Sequence, residues 1–266
     1  MIGLVGGMLV DAGEARAYHG ESDRISLETA YSLRRRQWRV GLFDVAYGVH
    51  DKLTISTGTM IWVGGALALR APAPNITLKS AFWEHGRYAL SATTGFTFIP
   101  GTLDGSDVRV FLVPFKLAGS VRVHPRVTLS TELSYTLSKF AYIEPPADQS
   151  VAGAAAINGF HQSIALQWNA SRVTALVLTG RFMWKVWGPY VSGSVGLGDG
   201  ATGSLDGTYT VADLAHAWNV SLAAAFSWRI VNLRVGAGYG SFFLHTPDFV
   251  VPGKYPVPEI DFYVRF

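Results

Sequence analysis

The stretch Trp-Asn-Val-Ser-Leu-Ala-Ala-Ala-Phe-Ser-Trp-Arg-Ile, residues 218–230, decides the fold. Trp218, Val220, Leu222, Ala224, Phe226, Trp228 and Ile230 take every second position, and Asn219, Ser221, Ala223, Ala225, Ser227 and Arg229 take the rest. A period of two puts the two sets on opposite faces of a strand. The second face is small and polar rather than densely charged. Aromatic residues stand towards both ends of the apolar face, as they do where a strand crosses lipid between two interfaces.

Working outward, the same alternation recurs. Leu53, Ile55, Thr57, Thr59 and Ile61 alternate with Thr54, Ser56, Gly58 and Met60. Tyr88, Leu90, Ala92, Thr94, Phe96 and Phe98 alternate with Ala89, Ser91, Thr93, Gly95 and Thr97. Short connections at 49–52, 83–87, 124–126, 169–172 and 230–232 alternate with long ones at 63–74, 100–107, 144–159, 188–216 and 245–257. A transmembrane barrel has short turns on one side and long loops on the other. The strands are read at 25–33, 38–48, 53–62, 76–82, 88–99, 108–123, 127–143, 160–169, 173–187, 217–230, 233–244 and 259–266. That makes a closed antiparallel barrel of about 12 strands, all-β, with almost no helix. A further hairpin inside 188–216, with one strand through 208–212, would raise the number to 14. Residues 24–266 form the barrel, and residues 1–23 read as a tail or a degenerate signal segment, apolar at the start but without a basic flank.

Composition agrees. The 266 residues are 49% hydrophobic and only 15% charged, against about 25% charged in soluble domains. No run of apolar residues is long enough for a spanning helix. A membrane-like composition without such a helix leaves a closed barrel, since only helices and closed barrels satisfy every backbone group in lipid. The competing soluble fold, a β-sandwich or lipocalin-like barrel, would need a charged outer face. With no cysteine in the chain, disulfide frameworks and thiolate metal sites are excluded. A formal charge of +3 implies no nucleic-acid partner.

The last strand carries a resemblance. Glu-Ile-Asp-Phe-Tyr-Val-Arg-Phe, residues 259–266, with Ile260, Phe262, Val264 and Phe266 on one face, is similar to the closing strand of Gram-negative outer-membrane β-barrels. The resemblance implies the outer membrane as location, lipid as surroundings, and the barrel-assembly machinery as the partner that reads this strand. It points to no particular member.

If the apolar face meets lipid, the other lines the lumen. Parity puts Lys79, Lys116, Arg122, Glu132, Arg181, Lys185, Arg229 and Arg234 there, with Arg39, Asp44, Asp261 and Arg265. A cation on the lipid face near mid-membrane would cost about 2–4 kcal/mol. Basic residues outnumber acidic ones, which suits a narrow passive channel for small hydrophilic solutes or ions with a mild preference for anions. The alternative is a lumen filled by ion pairs such as Glu132 with Lys116 or Arg181, on a structural or surface-binding barrel. A third reading is an enzyme. His161-Gln162-Ser163 resembles the His-x-Ser of outer-membrane phospholipases, but that family needs the pair facing lipid and followed by Asn-Gly. Here Ile164-Ala165 follows, and parity turns His161 and Ser163 inward. No catalytic residue, metal ligand or cofactor is expected.

Overall fold

The computed structural model describes residues 29–68, 72–103, 106–142, 158–187, 191–196, 204–209, 215–228, 230–244 and 249–266. The strands are β1 (Trp38–Gly41), β2 (Asp44–His50), β3 (Leu53–Gly58), β4 (Asn75–His85), β5 (Tyr88–Leu103), β6 (Ser106–His124) and β7 (Val127–Tyr142). They continue as β8 (Asn158–Asn169), β9 (Thr174–Trp187), β10 (Val191–Gly196), β11 (Ser204–Tyr209), β12 (Trp218–Trp228), β13 (Val231–Leu244) and β14 (Phe249–Arg265), and a helix, α1 (Thr59–Ala68), follows β3. Twelve strands close into one barrel in the order β1-β14-β13-β12-β9-β8-β7-β6-β5-β4-β3-β2. The seam is antiparallel, with Arg39 opposite Arg265 and Gly41 opposite Tyr263. Trp38 and Phe266 exchange backbone hydrogen bonds of 2.7 and 3.1 Å. The terminal aromatic thus closes the sheet.

The alternation in the sequence becomes an inside-out pattern of burial. On β12, Leu222 is 55% exposed and its neighbour Ala223 only 1%. Ile260 and Phe262 point out and are exposed, Asp261 and Tyr263 point in and are buried, and Val264 and Phe266 continue the outward face. Exposed Trp38, Trp83, Tyr88, Trp168, Trp228 and Phe266 ring the end with the short turns, and Phe115, Trp184, Trp218 and Tyr239 ring the other. Trp218 and Trp228 are ten residues apart on one strand. At about 3.3 Å per residue and a tilt near 40°, that spans about 25 Å, the height of the apolar band of an outer-membrane barrel.

Four expectations need correction. The first predicted strand, 25–33, is absent over its described part: residues 29–34 carry no strand, and 25–28 lie outside the described residues. The predicted strand 38–48 is instead the hairpin β1–β2, bent at Leu42 and Phe43. The number of strands therefore stays at twelve. The predicted strand 53–62 stops at Gly58, where α1 begins. Asn75 ends the strand physically. Its Nδ2 donates to Gly58 O at 3.2 Å, its Oδ1 accepts from Gly58 N, and its own backbone O accepts from Thr57 Oγ1 at 2.8 Å. The ladder is capped by a side chain rather than continued. The hairpin sought within 188–216 exists as β10–β11, a separate two-stranded sheet outside the barrel wall. β14 also begins ten residues earlier than expected, at Phe249.

Candidate functional site

The lumen is built from the second face of each strand. Register places Glu132 on β7, Ser163 on β8, Arg181 on β9 and Asn219 on β12 side by side. Arg234 on β13 lies opposite Asp261 on β14. All six are buried, which small neighbours such as Ala175, Val177, Ala223 and Ala225 permit by leaving space for long polar side chains.

Among the described residues, three groups of paired charges stand out. Arg181 Nη1 reaches Glu259 Oε1 at 3.1 Å, and Arg234 Nη2 holds the other carboxylate oxygen of Glu259. Ser221 Oγ donates to Glu259 as well. Arg39 bridges Asp44 at 3.2 Å and Asp261 at 2.8 Å, with its guanidinium 4.2 Å from the Tyr263 ring centroid. Lys116 lies 3.6 Å from Glu132. Pairing of this kind is what keeps charges tolerable when water is scarce.

These groups surround a cavity of about 500 Å³. Among the described residues, five basic side chains, Arg39, Lys79, Lys116, Arg181 and Arg234, and four acidic ones, Asp44, Glu132, Glu259 and Asp261, line it. The rest of its wall mixes apolar side chains, among them Leu42, Phe43, Phe242, Phe243, Val257 and Ile260, with the hydroxyls of Thr29, Ser32, Thr54, Ser56, Thr77, Thr93 and Thr97.

Residues 29–34 enter this space. Thr29, Ala30 and Ser32 are buried. Ala30 N donates to Ser120 Oγ at 2.8 Å and Leu33 N to Thr54 Oγ1 at 2.8 Å, while Lys79 Nζ donates to Thr29 O. Ala30 packs on Ala89 and Ala118. In the sequence, Ile25, Leu27, Tyr31 and Leu33 fall on one parity, as in a strand. The same alternation suits an extended segment laid across a lumen.

The predicted lumen residues are thus mostly inside. Lys79, Lys116, Glu132, Arg181 and Arg234 line the cavity. Arg122 is half-buried near the turn end, outside the cavity lining, and Arg229 lies outside the described residues. Lys185 is corrected. It pairs with outward-facing Phe160 while Met183 pairs with His161. The extra residue, Trp184, is a bulge that reverses the parity beyond it, so Lys185 is exposed. Glu259, which joins both arginines, was missed as a lumen group although it shares parity with Asp261. His161 and Ser163 are both buried on the inner face, and His161 lies 6.0 Å from the Phe243 ring.

No family model matches the chain, and no curated protein does. Among solved structures it is similar to OmpT, an outer membrane protein of Vibrio cholerae, at 11% identity and a TM-score of 0.44 over 84% of this chain. It spans 64% of that protein's length. It is also similar to a mutant of the TodX monoaromatic hydrocarbon channel, at 13% identity and a TM-score of 0.41, covering 94% of this chain and 71% of that one. A third likeness is to the CymD monoaromatic hydrocarbon channel, at 13% identity and a TM-score of 0.36, covering 88% of each chain. Independently of these likenesses, an apolar belt between two aromatic girdles, short turns at one end and paired charges within are what lipid demands of a strand-built span. The chain is a closed twelve-stranded antiparallel barrel with the outward-facing apolar belt of a transmembrane β-barrel.

Proposed function

We propose that the barrel is a passive channel of the outer membrane for small solutes, with a mild preference for anions, held closed at rest by residues 29–34. The observation that carries this is the lumen cavity of about 500 Å³, lined among the described residues by five basic and four acidic side chains. A site of that size suits a small molecule. Fixed positive charge raises the local concentration of anions, and added salt weakens the effect. The paired charges argue for a selective constriction rather than a wide aqueous pore, and the apolar part of the wall admits solutes that are not wholly hydrophilic.

Single-channel recording in planar bilayers under a salt gradient tests the proposal. Stepwise currents with an anion-selective reversal potential, shifted towards cations by Lys116→Glu, are expected. Cation-selective current in the unmodified protein would sink it. A second reading has its own support in the seated segment 29–34: a filled barrel whose long external connections, 144–159 and 188–216, make the functional contacts. Folded protein that stays silent even after the segment is loosened favours that reading.

A further inference from the structure

Charge is divided between the two sets of connections. At the end with the short turns, Lys52, Arg87 and Arg126 stand in the β2–β3, β4–β5 and β6–β7 turns, and Arg172 in the β8–β9 connection. Arg229 takes the same place in the sequence between β12 and β13, and Arg35 and Arg36 lie on the approach to β1. Among the described residues, Asp51 and Glu84 are the exposed acids at this end, and Asp51 Oδ1 accepts from Arg35 N at 2.9 Å. The long connections at 63–74, 100–107, 144–159, 188–216 and 245–257 hold eight acidic residues, with Arg70 and Lys254 as their basic ones.

The cations of the turns are held in place by the sheet. Lys52 O accepts from Ala81 N, Arg87 O from Arg122 N and Arg126 O from Asn169 N, each at 2.8 Å. One kind of bond thus ties three successive turns to the next hairpin and spaces their cations two strands apart, about 10 Å. Arg36 holds a φ of 65°, a conformation that Gly or Asn adopts more easily than Arg. The paired charges of the lumen include none of Arg35, Arg36, Lys52, Arg87 and Arg126, all of which are exposed.

Depth identifies what these cations meet. Arg87 adjoins Tyr88 of the girdle, and its guanidinium lies 5.5 Å from that ring's centroid, over a side chain that faces lipid. Lys52, Arg126 and Arg36 stand two or three residues from exposed Val49, Val123 and Trp38. At about 3.3 Å per residue, the charges lie within about 10 Å of the apolar band. The headgroup layer occupies that depth, since it adds roughly 5–8 Å to each side of the hydrocarbon. A soluble macromolecule would meet lipid headgroups before it met these side chains. Guanidinium groups bind phosphate oxygens in pairs, and the aromatic residues beside them suit the boundary below the phosphates.

We propose that the turn end is a collar for anionic phospholipid, whose headgroup phosphates dock on Lys52, Arg87 and Arg126. The collar gathers an anionic annulus around one mouth of the barrel. It goes beyond the channel reading and stands whether or not the lumen conducts.

Native mass spectrometry of the barrel in a neutral detergent, with phosphatidylglycerol or phosphatidylcholine added, tests the collar. Each cation near an anionic lipid surface contributes about fivefold, so phosphatidylglycerol should be retained at a concentration at least about tenfold lower. Lys52→Gln with Arg87→Gln and Arg126→Gln should abolish that preference, and each single replacement should cost about fivefold, which keeps the test available if the triple variant does not fold. Lys254→Gln, at an exposed cation of the other end, should leave the preference intact. Equal retention of the two lipids, or a preference that survives removal of the turn cations, overturns the collar. The chain has no cysteine, so a fluorophore on Pro125→Cys reports position in nanodiscs. Phosphatidylglycerol with a spin-labelled headgroup should quench it more strongly than phosphatidylcholine so labelled, and added salt should narrow the difference. Equal quenching overturns the location. Polyphosphate that binds through the same three cations, in a protein that does not distinguish the two lipids, assigns the collar to a soluble polyanion and overturns the lipid.

Discussion

Glu259 accepts from Arg181, Arg234 and Ser221 together. Its replacement by Gln removes the carboxylate that the two buried guanidinium groups share. Breaking a buried pair from one side costs about 3–5 kcal/mol, so Glu259→Gln should lower the urea midpoint of the folded barrel in detergent well below that of Arg234→Gln, which leaves Arg181 paired with Glu259. Equal midpoints would mean that the lumen hydrates these arginines freely. Gly48 matters for a different reason. A Cβ there would sit 1.9 Å from Arg34 O, while Arg36 N donates to Gly48 O at 2.7 Å and Gly48 N to Gln37 O at 2.9 Å. The chain entering the lumen crosses β2 at backbone contact. Gly48→Ala should displace that crossing at a cost of about 1–3 kcal/mol, read as faster labelling of a Tyr31→Cys thiol from the aqueous side.

At the level of elements, the segment 29–34 and the edge of β14 each make a prediction. The segment is held by Ser120 and Thr54 hydroxyls. Removing both, as Thr54→Ala with Ser120→Ala, should weaken its seat by about 2 kcal/mol at roughly 1 kcal/mol per bond. The occupancy of conducting states in bilayer recordings should then rise about tenfold or more, since 1.4 kcal/mol is a factor of ten. An unchanged trace would show that this segment does not close the channel. The edge of β14 is protected by prolines lacking N–H. Pro256→Val with Pro258→Val restores two donors on the β1-facing side of β14 and should promote edge-to-edge pairing, seen as new oligomers on semi-native gels. A purely monomeric double variant would show that something other than proline guards this edge.

For the molecule as a whole, orientation follows from the contrast between the two ends. Turns at 86–87 and 125–126 close one end in two residues, while the other carries β10–β11 and the long connections. A thiol at Ser192→Cys should therefore be labelled on whole cells by an impermeant reagent, and one at Pro125→Cys only after permeabilisation. The reverse pattern would invert the barrel and exchange the roles of its two mouths.

Alternation along 218–230, 88–98 and 259–266 was enough to determine the barrel, its lipid-facing residues, the inward turn of His161 and Ser163, and the outward row ending in Phe266. Side-chain direction in a strand is a local property, set every two residues by the backbone itself. The inward placement of Lys79, Lys116, Glu132, Arg181 and Arg234 followed from the same parity. What parity cannot carry is information about partners across the barrel. That Glu259 joins Arg181 to Arg234 depends on how β9, β13 and β14 meet around a closed sheet. The outward turn of Lys185 depends on a bulge, which inserts one residue and reverses every position after it. The alternating residues 25–33 look like a wall strand because an extended segment crossing a lumen has the same period as one within the sheet. Only the three-dimensional closure decided that residues 29–34 lie inside and that the strands of the first hairpin are short. Both depend on which backbone edges find partners far away in the chain, and hydrogen bonding between distant segments leaves no periodic mark on either one.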